Sequence, residues 1–501
     1  MRLPLGPYAP DLQSIVNNRG LIQAKNMFPK RGGYEPMRAL SPLDFTGVLP
    51  SRPRGAISGK NAVGNPHLYA GTSLSLRVRD DIGMTNVSKA GGYGLDPADR
   101  WSFAQFGNRI FAATLSSTIQ YQDIGSGSLF QDVPTLAPRA KHIATIGNFV
   151  MSGNLIDPEG GTLPASVRWC AVDNPLNWPA FGSDAAVSVQ ADRVPLEGNG
   201  GDVQDVVSGA EVGVVFQERA IHRFDYRGGS TIFEKNRVEE GNGMLIPHSA
   251  VAFQRNVFYI AEDGFRVFDY QTSHPIGKDK TSRTFFADLD VEYLDRVETA
   301  RDPERTLIWI AYPGSGHTGG RPNKLILYDY ALDQFSHAEY DIEGLITNST
   351  AAFATSIDAP ASPDDPDDVD GVSTINSYDF ASTSAGISRM GAFDTSFQAS
   401  DFSGNFIEGL IETGDLEGAP GNYYWMDSVR PIVDGRQPEL CLAERGRLDE
   451  RVVFGGYFPV DEDGEFSLRS DARYHRLRLK MLPGWTDSAG MDIKGVPSGE
   501  R

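Results

Sequence analysis

The chain has 501 residues with 54 Gly and 31 Pro, a composition that favours many turns and disfavours long helices. A net charge of −20 and a pI near 4.8 exclude a surface that grips nucleic-acid phosphates over a wide area. Two cysteines, Cys170 and Cys441, cannot build a disulfide framework or a four-thiolate zinc site, and we expect both to be small core residues.

Residues 1–65 are rich in Pro, Gly and Asn and show little periodicity, which predicts an extended N-terminal arm that docks on something. The opening MRLPLGPYAPDLQ lacks the basic head and apolar core of a signal peptide, and no apolar run approaches the roughly 18 residues needed to span a bilayer. We therefore expect a soluble protein without a membrane span, made in a cytoplasm.

Residues 66–345 repeat one hairpin unit. Three phrases of an aromatic residue followed by Asp and Tyr, at 224–226, 268–270 and 328–330, each follow an apolar stretch that is typical of a strand and a turn. The phrases end at Tyr226, Tyr270 and Tyr330. Two interpretations stay open: a ring of ligand-contacting tyrosines, or inner packing with an Asp that binds backbone amides at the strand end, which we favour.

Weaker copies of the unit extend the repeat along the chain, and the distances between their turns give its length in residues. Turn markers are spaced by 40, 62, 46 and 48 residues, and they are Gly107, Gly147, Gly209, Arg255 and Pro303. Most steps match the blades of a β-propeller, which take about 40 to 50 residues each. The longer step contains an insertion around Trp169, and a polar loop at 313–323 stretches a later unit. The sequence predicts an all-β protein with a β-propeller; an irregular β-sandwich is the alternative.

Two segments follow the repeat. Residues 346–371 form an acidic, Pro- and Asp-rich stretch, predicted to be an exposed loop or linker because it neither packs nor pairs into strands. It fails as a calcium-binding EF-hand loop, since Pro366 stands where the first ligand is needed. Residues 372–501 return to alternating β patterning, as in YHRLRLKML from Tyr474, and predict a C-terminal β platform domain.

The sequence indicates no catalytic centre, metal site or cofactor. Its eight histidines include no HExxH or HxH, and nucleophile-elbow and P-loop sequences are absent. Paired carboxylates for glycoside hydrolysis stay conceivable at Glu262, Asp263 and Glu412, although exposed carboxylates at turns and strand ends are ordinary. We therefore expect no enzyme.

Other conspicuous side chains are interpreted as structural or as interface residues. Trp169 and Trp178 are expected to anchor a core or an interface, with bound sugar as the lesser alternative. Basic residues alternate along one strand and predict a face that meets a partner's carboxylates rather than DNA: Arg473, Arg476, Arg478 and Lys480.

Several stretches resemble phrases of the tail hub, or nozzle, proteins of short-tailed bacteriophages, also called packaged-DNA stabilisation proteins. In SVRWCAVDNPLNWPA at 166–180, a strand ending in Arg and Trp leads into a loop with Asp, Pro and Trp; the matching residues are Arg168, Trp169, Asp173, Pro175 and Trp178.

The two ends of the chain carry the same resemblance. The opening GLIQAKNMFPKRGGYEPMRALSP is similar through Asn26, Pro29, Gly33, Tyr34 and Pro36. The ending from Tyr474 is similar through Trp485, Gly490 and Gly495, and residues 409–435 resemble a late-domain segment of the family.

The resemblance implies a non-enzymatic virion protein of the phage tail, synthesised in the host bacterial cytoplasm. It would assemble as a homohexamer below the ring-shaped adaptor and portal and carry tail fibres or spikes. A propeller would lie outside, and a β platform would line the channel through which double-stranded DNA passes without sequence-specific binding.

Two functions of other classes remain as alternatives. A carbohydrate-active propeller enzyme would be a monomer or dimer with paired carboxylates in a pocket. A glycan-binding or receptor-binding tail module would be a trimer that binds sugar through Trp or Tyr.

Overall fold

The computed structural model describes residues 2–12, 20–43, 47–80, 83–209, 212–229, 231–350, 388–418 and 421–499. The N-terminal segment contributes five short strands, namely β1 (Arg2–Pro4), β2 (Leu21–Lys25), β3 (Met27–Lys30), β4 (Gly33–Pro36) and β5 (Ser41–Pro42). The rest of the described chain is mostly β-strand. No helix within the described ranges is long and apolar enough to cross a membrane.

Seven groups of four antiparallel strands follow one another along the chain, and we call them the first to seventh sheets. Six of them are separate four-stranded sheets, and the sixth in order is part of a nine-stranded sheet. The first sheet contains β6 (Ala56–Lys60), β7 (Pro66–Gly71), β8 (Leu76–Asp80) and β9 (Gly83–Asn86), and the second contains β10 (Ser102–Phe106), β11 (Arg109–Thr114), β12 (Ser117–Asp123) and β13 (Gln131–Asp132). The third contains β14 (Arg139–Ile146), β15 (Phe149–Asp157), β16 (Gly161–Trp169) and β17 (Asp192–Pro195). The fourth contains β18 (Val203–Ser208), β19 (Val212–Gln217), β20 (Ala220–Tyr226) and β21 (Phe233–Glu240).

The fifth sheet contains β22 (Val251–Phe253), β23 (Asn256–Ala261), β24 (Gly264–Phe268) and β25 (Ser273–Pro275), and the sixth contains β26 (Glu298–Arg301), β27 (Leu307–Tyr312), β28 (Lys324–Asp329) and β29 (Gln334–Glu339). The seventh contains β30 (Gly344–Thr350), β31 (Ser388–Phe393) and β32 (Ala399–Asp401), with β5 as its fourth strand. Helix α1 (Asp184–Ser188) lies between β16 and β17, and α2 (Ser282–Asp288) with a 3-10 turn (Val291–Arg296) lies between β25 and β26.

The second strands of these sheets are apolar because both of their faces are covered by neighbouring sheets. In β23, Val257 and Tyr259 pack with Val214 of the fourth sheet. The alternating residues Phe258 and Ile260 belong to the core that includes β27 of the sixth sheet. A strand with two buried faces needs a continuous apolar run, which is the pattern in the stretches before the aromatic-Asp-Tyr phrases.

The predicted turn markers occupy equivalent positions. Each of the five connects the first and second strands of a sheet, from the second sheet at Gly107 to the sixth at Pro303. The longer step holds the 170–191 connection, which includes α1. No marker falls in the first sheet or in the seventh. The strands of the seventh sheet come from two distant parts of the chain, since β5 precedes the first sheet and β30–β32 follow the sixth.

The neighbour relations of the sheets close on themselves. The first strand of each sheet contacts the first strand of the next, and β30 of the seventh sheet contacts β6 of the first. Ser41 and Pro42 complete the seventh sheet through pairing with Asp401 and Ser400. This order is consistent with propeller blades.

The C-terminal strands form two further sheets with N-terminal strands, and we call this unit the platform. Its strands are β33 (Gly409–Thr413), β34 (Tyr423–Gly435), β35 (Glu439–Arg445), β36 (Phe458–Pro459), β37 (Phe466–Ala472), β38 (Tyr474–Met481) and β39 (Trp485–Gly499). One platform sheet has the order β3-β4-β39-β34-β37, with β1 on β39. The other, β2-β33-β38-β35-β36, is continuous with the sixth sheet through β29. Their facing residues share one core, including Ile411 and Leu477 with Val429 and Ile493.

Several boundaries differ from those predicted. The 1–65 segment is built into sheets of its own chain, and the first four-stranded sheet already begins at Ala56. Within 346–371, residues 346–350 belong to β30, and 351–371 lie outside the described residues. Ser388–Asp401, predicted to open the platform, belongs to the seventh sheet instead. Cys170 and Cys441 are buried free thiols, as predicted.

Candidate functional site

A cavity of about 280 Å³ lies where the first strands of the sheets meet. Its wall includes residues of β6, β10, β18, β26 and β30, which come from five different sheets. A space shared by so many elements is the natural place to look for a site, because residues far apart in sequence converge there.

One ion pair crosses this region. Arg100 Nη2 lies 2.8 Å from Glu298 Oε1, and both side chains are largely buried. Arg100 Nη1 also donates to the backbone carbonyl of Val297 at 3.1 Å, while Glu298 Oε2 accepts from the Leu345 backbone N–H at 2.6 Å. These bonds tie the second, sixth and seventh sheets together, so we assign the pair a structural role.

His142, Asp205 and His248 form the second polar cluster. Among the described residues they are the group of three whose ligating atoms lie within 4.8 Å of one another. His142 Nδ1 is 3.4 Å from Asp205 Oδ1, and the two imidazole rings have their centroids 4.2 Å apart. His142 stands on β14, Asp205 on β18 and His248 just before β22, so three consecutive sheets each supply one ligand.

The cluster is largely removed from solvent. The His142 side chain is fully buried and that of Asp205 is 12% exposed, while Asp205 and His248 line the cavity. Neither ring nitrogen of His142 makes a hydrogen bond of good geometry with any residue that the structure describes. A buried polar group left without a partner costs about 1–3 kcal/mol.

Burial also shifts the protonation of these groups. It lowers the pKa of His142 and of His248 well below the usual imidazole range, and nearby cationic side chains, including Arg100, add to the effect. The Val203 backbone raises the pKa of His142, but by less than burial lowers it. Burial raises the pKa of Asp205 to about 6, although His248 and backbone amides counteract it. Two neutral imidazoles beside a carboxylate are a donor set suited to a divalent cation.

The backbone holds His248 in an unusual conformation. Its φ of +59° is left-handed, which is uncommon for a residue other than Gly, although Asn, Asp and His adopt it more often than the rest. The His248 N–H donates to the Gln204 carbonyl at 3.2 Å, so this turn is attached directly beside Asp205. Asp205 Oδ1 in turn accepts from the Val206 N–H at 2.9 Å, which orients the carboxylate.

Sequence analysis missed this cluster because its members are dispersed. A signal was present: His142, Asp205 and His248 stand 5, 4 and 7 residues before the markers Gly147, Gly209 and Arg255. Aligning the repeats on their turns would have placed all three at the inner end of the unit. The expectation of no metal site rested on short-range spacing, which cannot detect ligands supplied by separate sheets.

The tryptophan loop is a compact structural insertion on the third sheet. Arg168 is buried and donates to Asp157 Oδ2 at 2.7 Å and to the Pro179 carbonyl at 2.8 Å. Trp169 and Trp178 are each 1% exposed, and the Trp178 Nε1 donates to the Pro175 carbonyl at 2.9 Å. These contacts agree with the expected core role of both tryptophans.

Asp173 is an exposed residue of this loop. Its φ is +57°, and its backbone N–H donates to the Asn148 carbonyl at 3.0 Å. The bond ties the loop to the turn between β14 and β15, so Asp173 acts through its backbone.

The three aromatic-Asp-Tyr phrases occupy the ends of the third strands in three consecutive sheets. Asp269 Oδ1 accepts from the backbone N–H groups of Gln271 and Thr272, and Asp329 Oδ1 accepts in the same way two and three residues onward. The predicted role of the Asp therefore holds in two phrases. Asp225 differs, because its carboxylate accepts from Arg223 and Asn236 side chains.

The tyrosines of these phrases have different surroundings. Tyr226 is 49% exposed and donates to Gln190 Oε1 at 2.7 Å. Tyr270 has a left-handed φ of +69° and lies over Gly209. The Tyr330 and Phe253 rings are tilted against each other, with their centroids 4.7 Å apart. These contacts are with the same chain, which agrees with packing rather than with a common ligand.

The predicted basic face is covered by the chain's own carboxylates. Arg478 Nη2 lies 2.7 Å from Glu412 Oε2, and Arg476 contacts both Glu412 and Asp415. Arg445 also pairs with Asp415. Arg476 and Arg478 are thus already paired within the chain, because β33 lies beside β38 and carries the counter-charges. That this face meets a partner stays a prediction.

The conceivable carboxylate pair is not assembled. Glu262 and Asp263 form the exposed turn between β23 and β24, where Asp263 pairs with Arg266 at 2.6 Å. Glu412 belongs to the platform and is held by its arginines. These residues therefore do not form one site.

Tyr34 and Trp485 lie in the platform core. Tyr34 is 1% exposed and donates through its hydroxyl to the Gly6 carbonyl at 2.9 Å. Trp485 is fully buried at the start of β39. The predicted site residues are thus distributed over the third to sixth sheets and the platform, and they support the fold rather than a single pocket.

Comparison with known proteins adds little. No protein-family model matches the chain, and no curated protein is similar to it at a significant level. Among solved structures, the crystal structure of the computationally designed Ika8 protein matches with a TM-score of 0.33 and 12% identity, over 67% of this chain and 92% of that chain. A likeness at this level carries no argument about function.

Proposed function

We propose that the seven sheets are the blades of a β-propeller and that the chain is a structural subunit of a short phage tail. In this proposal six copies form a hub, or nozzle, below the adaptor, hold the packaged genome and provide its ejection channel. The chain would act through assembly in the virion and not as an enzyme.

The propeller is supported by the cyclic order of the first strands and by the origin of β5. Pairing of β5 with β32 brings a segment from before the first sheet into the last one. Such an exchange joins the two ends of a ring of sheets and removes the edge that would otherwise stay open.

The observation that carries the hub proposal is the meeting of the two phage-like ends. Tyr34 of the opening phrase pairs with Ser488 of the closing phrase. A Cβ on Gly33 would clash with the Ser488 carbonyl, and one on Gly490 would lie 2.6 Å from the Leu3 carbonyl. Gly33 is thus required by the close approach of the opening phrase to the closing one, and Gly490 by the approach of β1 to β39. Both phrases therefore belong to one structural unit.

Charge also favours a passage for DNA. Six copies, each with a net charge of −20, carry −120 together. An acidic wall minimises adhesion to phosphates, so the duplex would slide through without being retained. The adaptor and the tail fibres or spikes would be the protein partners.

Mass photometry and negative-stain imaging of the purified chain test this proposal. The chain is measured alone, with the portal and adaptor proteins encoded beside it, and with the adaptor of an unrelated phage as the control. Six-fold rings, either alone or on the cognate adaptor only, are expected. A monomer that ignores its adaptor would overturn the hub, and turnover of a polysaccharide by that monomer would favour the carbohydrate-active alternative.

A further inference from the structure

We propose that His142, Asp205 and His248 form a binding site for a divalent transition-metal ion, with Zn²⁺ as the best-fitting ion, at the wall of the central cavity. The site goes beyond the hub proposal and does not depend on it. It would join the third, fourth and fifth sheets near the centre of the ring.

The separation of the ligand atoms fits a small tetrahedral ion. Ligands about 2.1 Å from such an ion lie about 3.4 Å apart. His142 Nδ1 and Asp205 Oδ1 are 3.4 Å apart, and the other pairs of ligand atoms lie within 4.8 Å. Any pair of ligand atoms wider than about 3.4 Å must draw together when the ion binds.

A second observation points independently to a ligand. His142 is fully buried, and neither of its ring nitrogens makes a hydrogen bond of good geometry to a described residue. A neutral imidazole ordinarily donates from one nitrogen and accepts at the other. A metal bound at Nδ1 would occupy the nitrogen that faces Asp205, which explains why this ring stands in a polar cluster rather than against an apolar wall.

The charged neighbours of the site act against added positive charge, so the carboxylate is essential to it. Lys141 and Arg100 disfavour an added positive charge on the imidazole. The Asp205 carboxylate is the group of the site that offsets the charge of a bound ion, and neutral imidazoles keep a nitrogen lone pair available to it. The Val206 N–H, which is not itself a ligand, donates a hydrogen bond to Asp205 Oδ1 and so orients the carboxylate.

The coordination would have one open position. Asp205 and His248 line the cavity, so a bound ion would face a space of about 280 Å³ on its free side. Water would complete a four-ligand set there. Two histidines, one carboxylate and water are the chemistry that the cavity wall provides.

The test uses the full chain, stripped of metal with a chelator and then titrated with Zn²⁺ in competition with a chromophoric chelator. We expect one Zn²⁺ per chain and a higher thermal midpoint on binding. Asp205→Asn and His248→Asn should weaken Zn²⁺ binding at least 100-fold. His274→Asn is the matched control, because His274 lies 3.5 Å from Asp269 on the exposed surface, and it should bind like the wild type.

A second measurement uses only the wild-type chain, so its result does not depend on whether the variants fold. X-ray absorption at the zinc edge of the wild-type chain should give nitrogen and oxygen ligands that include two imidazoles. Absence of saturable Zn²⁺ binding would overturn the site, as would unchanged binding in folded Asp205→Asn or His248→Asn, or a spectrum with fewer than two imidazoles.

Discussion

Lys25 and His337 are parallel-register partners at the point where the sixth sheet passes into the platform. The next residue, Asn26, donates its backbone N–H to the His337 carbonyl at 2.8 Å. Lys25 also forms an ion pair with Glu339. An N-terminal strand thus lies between the repeated sheets and the C-terminal strand β33, so three distant parts of the chain share one sheet.

Asn26 should be the most sensitive position of this junction. Its φ is +59°, its side-chain N–H donates to the Glu408 carbonyl at 3.0 Å, and its Oδ1 accepts from the Glu339 N–H at 3.1 Å. Asn26→Ala loses both bonds and adds backbone strain, so we expect a loss of about 2–3 kcal/mol in unfolding free energy. Asn26→Gly loses only the bonds and should cost about 1–2 kcal/mol. Urea midpoints measure the difference, and equal losses would contradict the strain.

Gly33 should not tolerate a side chain. A Cβ there would meet the backbone of Ser488 and Ala489, which cannot move without breaking the platform sheet. Gly33→Ala should therefore cost about 2–3 kcal/mol in unfolding free energy. Gly94 has open space around its Cβ position and no left-handed φ, so Gly94→Ala is the control and should be neutral or stabilising by up to about 1 kcal/mol. A similar small change in both variants would refute the close approach.

The buried charges of the platform should matter far more than exposed ones. Glu412→Gln removes the charge that Arg476 and Arg478 share, and we expect a loss of about 3 kcal/mol in unfolding free energy. The control is Asp449→Asn, because the Arg447–Asp449 pair is mostly exposed, and its effect should stay below about 0.5 kcal/mol. Chemical denaturation at two salt concentrations provides the test; comparable losses would argue against burial of the network.

Stability should fall in acid partly because of His222. Burial, with Lys235 and Arg237 nearby, lowers the pKa of His222 to about 4. The unfolded chain, with an ordinary imidazole pKa near 6.5, then binds the proton first. Stability is complete above about pH 6.5 and declines as the pH falls toward 4, by at most about 3 kcal/mol from this group.

His222→Gln should make that decline smaller, because the glutamine side chain does not titrate. It keeps a polar group where His222 Nε2 lies 2.9 Å from Gln217 Oε1. Urea midpoints of the wild type and the variant, taken from pH 7.5 to 4.5, measure the effect. Parallel curves would mean that His222 does not supply the acid sensitivity.

The sequence by itself determined the repeated unit of this protein. Gly-Asn turns at Gly107 and Gly147 and the buried runs in β19, β23 and β27 are local signals, because turn conformation and strand burial depend on adjacent residues. The core positions of Trp169 and Trp178 were predictable for the same reason. Counting only strong turns nevertheless missed the first and seventh sheets.

Only the tertiary structure decided which segments complete each sheet and which polar groups meet. The pairing of β5 with β32, and of β2 with β29 and β33, uses backbone hydrogen bonds that leave almost no trace in residue type. The carboxylates opposite Arg476 and Arg478 depend on the strand that lies beside β38. His142, Asp205 and His248 converge because each stands near the inner strand of its sheet, and that convergence is set by the ring of sheets and not by spacing along the chain.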